Sequence, residues 1–183
     1  MKVSREQVRQ HRERILAAAS RLFRERGVDG VSVAEIMNAA GLTHGGFYGH
    51  FGSKGALVQE ALAYRKPTSW RSRLDARSAA EYADGYLSTR HRDDPGNGCP
   101  IAGLGSAAAR GSADVRRTLT KSVIHEIDRF SAASPGTTAA QRRRTAIAAV
   151  AAMVGAVVLA RIVVDEELSE EILAATRSSI ELD

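Results

Sequence analysis

From position 41 to 57 the chain reads Gly-Leu-Thr-His-Gly-Gly-Phe-Tyr-Gly-His-Phe-Gly-Ser-Lys-Gly-Ala-Leu, with no carboxylate in the run. The chemistry open to these residues is hydrogen-bond donation. Thr43 and Tyr48 carry hydroxyls, His44 and His50 imidazoles, and Lys54 an ammonium. Hydroxyls, an ammonium and the free amides of a helix start are groups that hold phosphate oxygens. Imidazoles on the same face can reach base edges. The charge distribution agrees: residues 1–66 hold 11 Lys+Arg against 6 Asp+Glu, whereas residues 67–183 hold 15 of each, so the whole net charge of +5 sits in the first third. A basic segment beside a neutral one suits a polyanionic partner for the first part. For charge alone, a solvated basic surface remains the alternative.

Helices must position these groups. Among 183 residues there are 31 Ala, 4 Pro and only 5% aromatics, a composition that favours an all-α fold and excludes an all-β one. Val8, Ile15, Ala18, Ala19, Leu22 and Phe23 recur at helical spacing, predicting a first helix over Arg5 to Arg26 that Gly27 ends. Ser32 and Glu35 form a capping box for a short second helix that Gly41 breaks. Thr43 is placed to cap a third helix over 44–50, and Ser53 a fourth with Leu57, Ala61 and Tyr64 on its apolar stripe, up to Pro67. Two short helices joined by a Gly-containing turn make a helix-turn-helix. Further helices are expected over 78–89, 101–110, 113–133, 138–164 and 166–182, with a loop over 90–100.

The run from Gly41 to Leu57 closely resembles the tetracycline-repressor (TetR/AcrR) family of bacterial transcriptional regulators, and the likeness extends over residues 8–66. That family's pattern has Gly, an aliphatic residue, Ser/Thr, an aromatic-Tyr pair, His/Tyr-Phe and Ser-Lys before an apolar helix. The resemblance implies an N-terminal three-helix helix-turn-helix domain over 1–66, with 32–51 as its reading unit. It further implies a C-terminal helical domain over 67–183 for effector binding and dimerisation. His44, Gly45, Gly46 and His50 would then face bases, while Thr43, Tyr48 and Lys54 hold phosphates. Leu42, Phe47 and Phe51 would be core. The plainer reading makes the histidines surface or core-edge residues, Lys54 a solvated lysine and Tyr48 a core-edge aromatic. Gly46 and Gly49 stand where the family more often carries side chains, and Gly55 replaces a common acid. So few base-reading side chains would shift readout toward DNA shape and close backbone approach.

The resemblance also implies a homodimer whose heads occupy successive major grooves of a near-palindromic operator, most simply as a repressor. A small molecule in the C-terminal domain would shift the head spacing. Trp70, Tyr82, Tyr86, Cys99, Leu104 and Phe130 are the candidate lining of that effector site, against the alternative that these aromatics only fill a core. Residues 145–160 carry no charge and are flanked by Arg142, Arg143, Arg144 and Arg161. The stretch is too short and too Ala-rich for a membrane span. It fits a helix buried on one face by its own domain and on the other by a second subunit, so the last two helices are expected to form the dimer interface, with Val157 as a probe of it.

No cofactor or metal is expected, and no membrane partner. The single Cys99 makes no disulfide and no thiolate metal site, and the densely charged N-terminus carries no export signal, so the expected location is the cytoplasm. In an exposed loop after Gly98, Cys99 would be either pocket lining or a redox-sensing thiol. Rival functions are few. Gly103-Leu104-Gly105-Ser106-Ala107-Ala108 fits a dinucleotide pattern with Glu126 beyond it, but Pro95 to Pro100 precedes it where a strand is required. Cys99 with His91 or His125 could make a thiol enzyme, though nothing is placed to orient either imidazole. A DNA-architectural protein without an effector shares every N-terminal feature, but the 117 residues beyond Lys66 are large for a dimeriser alone.

Overall fold

A computed structural model describes residues 4–64 and 78–180; Trp70 and the expected boundary at Pro67 lie outside the described residues. Every regular element among the described residues is helical. Helix α1 (Arg5–Arg26) starts at Ser4, which exchanges bonds with Gln7, and ends where the Gly27 amide returns to the Phe23 carbonyl. Its stripe from Ile15 to Phe23 is buried, whereas Val8 is 41% exposed, as are its neighbours over 4–10. Helix α2 (Val33–Ala39) carries the reciprocal Ser32–Glu35 cap.

The third element differs from expectation. His44–Gly49 is a 3-10 helix, and Thr43 makes no side-chain capping bond. Three glycines in six residues remove about 1 kcal/mol each of helix propensity, and the tighter i to i+3 pattern, with Gly46 N on Thr43 O at 3.1 Å, takes over. Helix α3 (Lys54–Ala63) is capped by Ser53. After the undescribed stretch come α4 (Ala79–Tyr86), α5 (Thr89–Asp93), a 3-10 helix Pro95–Asn97, α6 (Pro100–Ala109), α7 (Ala113–Ala133), α8 (Ala139–Ile162) and α9 (Glu166–Ser179). The expected loop over 90–100 is thus largely helical. The Ser88 hydroxyl receives the His91 amide and the Asp94 carboxylate the Asn97 amide, local caps that let two short turns form.

Two apolar cores result. The first joins α1, α2, the 44–49 turn and α3 through Ile15, Phe23, Ile36, Phe47, Phe51 and Leu57, and it is completed by Leu104 of α6. The second joins α4 to α9 through Tyr82, Tyr86, Phe130, Met153, Val157 and Leu173. Among the described residues α8 is the one helix long and apolar enough to cross a membrane. One face of it, with Ala146, Val150, Met153 and Val157, lies in the second core. Val157 is fully buried there, so a charge at that position disrupts the subunit itself and does not report on an outer interface. The outer face presents Ala148, Ala151, Ala152, Leu159 and Ile162.

The two cores are fastened together at 91–99. The His91 ring receives the Cys99 amide at Nε2 (2.9 Å) while Nδ1 lies 2.7 Å from the Tyr86 carbonyl. A bond to each nitrogen requires the neutral imidazole with its proton on Nδ1. Any Cβ at Gly98 would stand 2.7 Å from His91 Nε2, so the close approach needs glycine. Arg161 of α8 donates to the His91 and Arg92 carbonyls at 2.6 and 2.9 Å, and Arg24 of α1 donates to the Gly96 carbonyl at 2.8 Å. The segment therefore holds α1 on one side and α8 on the other.

Candidate nucleic-acid interface

The 44–49 turn sits on the first core by one side chain. Phe47 is fully buried, stacked on Phe51 at 5.9 Å and edge-on to Tyr48 at 5.2 Å. Around that anchor Thr43, His44, Gly45, Gly46, Tyr48 and Gly49 are all exposed, Tyr48 to 72%. Thr43, Tyr48 and His44 are thus each open to solvent. Gly41 makes the turn before it, at φ +66, a left-handed geometry that costs other residues strain. Arg14 donates to its carbonyl at 3.4 Å.

Surrounding charges brace this surface. Arg12 pairs with Glu60 at 2.5 Å and lies 4.7 Å over the Phe51 ring, tying α1 to α3. Arg26 pairs with Glu35 at 2.8 Å; hydrogen bonds from the Ser32 backbone and hydroxyl, then Arg26, hold the Glu35 carboxyl down at about 2. Glu35 stands out in the sequence as a capping residue, but neither ion pair does, because the partners are 48 and 9 positions apart.

Lys54 has a task inside the subunit. Its ammonium donates to the Val28 carbonyl at 2.9 Å, pinning the turn between α1 and α2. Two further N–H donors remain for a phosphate. Lys54→Ala is expected to cost about 1 kcal/mol of stability in urea unfolding, and to flatten the salt dependence of DNA binding by roughly one unit on all sequences. Unchanged stability would mean that the Val28 bond adds nothing.

His50 is half-buried at the end of the turn, its ring 6.2 Å from that of His11. Burial, then the His11 and Arg12 charges, push its pKa below the ordinary histidine value. Its neutral form therefore belongs to the folded state, and the unfolded chain takes up its proton first. Stability is expected to fall as pH drops from about 6.5 toward the lowered value, and His50→Gln to flatten that slope in thermal melts at pH 7 and pH 5. A parallel pair of pH profiles would count against this.

The candidate effector lining divides. Tyr82, Tyr86, Cys99 and Phe130 meet in the second core, with Tyr82 5.9 Å from Tyr86 and 5.8 Å from Phe130. The Tyr82 hydroxyl donates to buried Glu126 at 3.2 Å, and Arg129 lies 4.5 Å over the Tyr82 ring; the sequence marked Glu126 only as the acid of a nucleotide site, and Arg129 not at all. Leu104 does not join them; it packs in the first core. Cys99 is 1% exposed at the start of α6, in contrast to the exposed loop expected. Both ring nitrogens of His91 are engaged by backbone atoms, which leaves neither as a base for the Cys99 thiol. The 103–108 pattern lies inside α6, with Gly103 against Arg24, so no loop is there to cradle a phosphate.

Residues 15–61 match the family described as bacterial regulatory proteins, tetR family. Over 59 residues, 32% of this chain and 28% of the relative, the sequence is 41% identical to the HTH-type transcriptional regulator TtgR of Pseudomonas putida. Over 51 residues, 28% of this chain and 25% of the relative, it is 43% identical to the HTH-type transcriptional repressor KstR2 of Rhodococcus jostii. The matched part of the chain thus spans about a quarter of the length of these curated relatives. Solved structures share the fold over nearly the whole chain. A TetR transcriptional regulator from Chloroflexus aurantiacus superposes with TM-score 0.78 at 24% identity, covering 97% of this chain and 98% of that one. The reduced form of E. coli NemR gives 0.72 at 23% identity, covering 94% and 98%.

Proposed function

We propose, from a chain whose residues 15–61 are a tetR-family DNA-binding domain and whose length has the fold of TetR-family regulators, that the protein is a ligand-responsive transcriptional repressor. It binds a near-palindromic operator as a homodimer. The observation that carries this reading is the 44–49 turn, anchored by buried Phe47 and offering Thr43, His44 and Tyr48 to solvent within the family-matched residues. Thr43, Tyr48 and Lys54 hold phosphates, while His44, Gly45, Gly46 and His50 lie toward the bases. Binding is salt-dependent, because the +5 of residues 1–66 displaces counterions. The dimer forms through the outer faces of α8 and α9, where Leu159 and Ile162 are 53% and 68% exposed. The effector is a small molecule admitted beside Tyr82, Tyr86 and Phe130, where Glu126 and Arg129 add polar recognition to an apolar wall. A DNA-binding regulator of this kind works in the cytoplasm and needs neither cofactor nor catalysis.

The test is selection of bound duplexes from a random DNA pool, followed by gel shifts with the enriched sequence. A two-fold-related consensus is expected. Enrichment of nothing, or equal affinity for every duplex, would leave at most an architectural DNA-binding protein.

A further inference from the structure

Several glycines in this fold have a reason inside the molecule, whereas Gly45, Gly49, Gly52 and Gly155 are open to a Cβ on every side. Gly41 has a left-handed backbone, Gly98 lies against the His91 ring, and a Cβ on Gly96 would meet Glu25 and Arg21. Gly45 and Gly49 have no such reason. Neither has a positive φ, and a Cβ built on either meets no heavy atom within 4 Å. Alanine would fit both sites and favour the folded state, since glycine gives up more backbone freedom on ordering. The subunit by itself therefore asks for a side chain where the sequence has none. Both positions lie on the exposed turn of the family-matched domain, beside His44 and the 72% exposed Tyr48. Gly52, equally open but beyond the 44–49 turn, serves as an internal contrast.

We propose that the bare main chain at Gly45 and Gly49 is itself a reading surface, seated against base edges in the major groove. The operator is then selected by a groove shape that admits the naked 3-10 turn, with His44 and Tyr48 flanking it. The proposal rests on the operator-binding function proposed above and specifies how the choice of sequence is made. A side chain at either position holds the turn off the groove floor. The loss falls on the selected sequence, because a non-specific duplex is held through its phosphates at a greater distance.

The experiment measures Gly45→Ala, Gly49→Ala and, as the contrast, Gly52→Ala in the whole 183-residue chain, by thermal melting and by binding to the selected operator and a scrambled duplex. Melting temperatures at 45 and 49 are expected to stay level or rise by about 1–4 °C. Operator affinity is expected to fall at both by roughly tenfold or more, the scale of a mismatched base pair, with scrambled-duplex affinity within about twofold of wild type. Gly52→Ala should leave both affinities within about twofold. Wild-type operator affinity at 45 and 49 overturns the proposal, as does an equal loss on both duplexes or an equal loss at 52. A wild-type protein that enriches no sequence removes the regulator reading as well, which separates the two failures.

Discussion

Leu159→Glu is expected to convert the protein into a monomer in sedimentation and to lower its operator affinity by about two orders of magnitude or more. The expectation comes from α8 having two apolar sides. Its inner face fills the second core, and its outer face carries Ala148, Ala151, Ala152, Leu159 and Ile162. A helix apolar nearly all round is stable in water when both sides are covered. The small side chains, with Gly155 having nothing within 4 Å of a built Cβ, allow a second helix to approach closely. Glutamate at Leu159 is solvated in a monomer but buried and unpaired between two copies, so it opposes association without opposing the fold. The affinity loss follows because two linked heads gain from effective concentration and one head does not. Helix content by circular dichroism should be unchanged. A dimer of wild-type affinity would remove the assignment of this face.

His91→Ala is expected to be the most destabilising single change in the second core, by about 3–5 kcal/mol, or a fall in melting temperature of roughly 10 °C. The ring is fully buried, and its loss leaves a cavity together with the Tyr86 carbonyl and the Cys99 amide that it had bonded. Damage should not stay local, because the same segment carries the Gly96 carbonyl that receives Arg24 of α1. Amide exchange is expected to quicken across residues 96–103 and in the last turns of α1. Exchange quickened at Cys99 alone would show that the segment does not act as one unit.

Much that is local in this structure was legible in the residues, although the Ser88 and Asp94 caps were not. The Ser32–Glu35 box, the Ser53 cap and the Thr138 start of α8 each depend on atoms within three positions, so residue types reveal them. Thr43 looked the same and behaved differently, because the glycines after it weaken the α-helix that a cap would serve. The surface of the 41–57 run was readable for the same local reason. The placement of Leu104 was not, since helical spacing shows that a residue is apolar without showing which core it enters. Least visible was the His91 clasp, whose partners are backbone groups that every residue possesses.

Leu104 has a consequence for how such proteins can be recombined. The first core is finished by a side chain some forty residues beyond α3, with Val115 of α7 packed against the same cluster. A DNA-binding head cut from this chain and joined to another body therefore carries an unfilled place in its interior, and a body given a foreign head presents a leucine shaped for a different seat. Chimeras made by exchanging the first third alone should fold poorly, and those that also move the stretch around Leu104 should recover. The unit that can be inherited or transplanted intact is discontinuous in sequence, and a gene fusion at a single crossover point cannot transmit it.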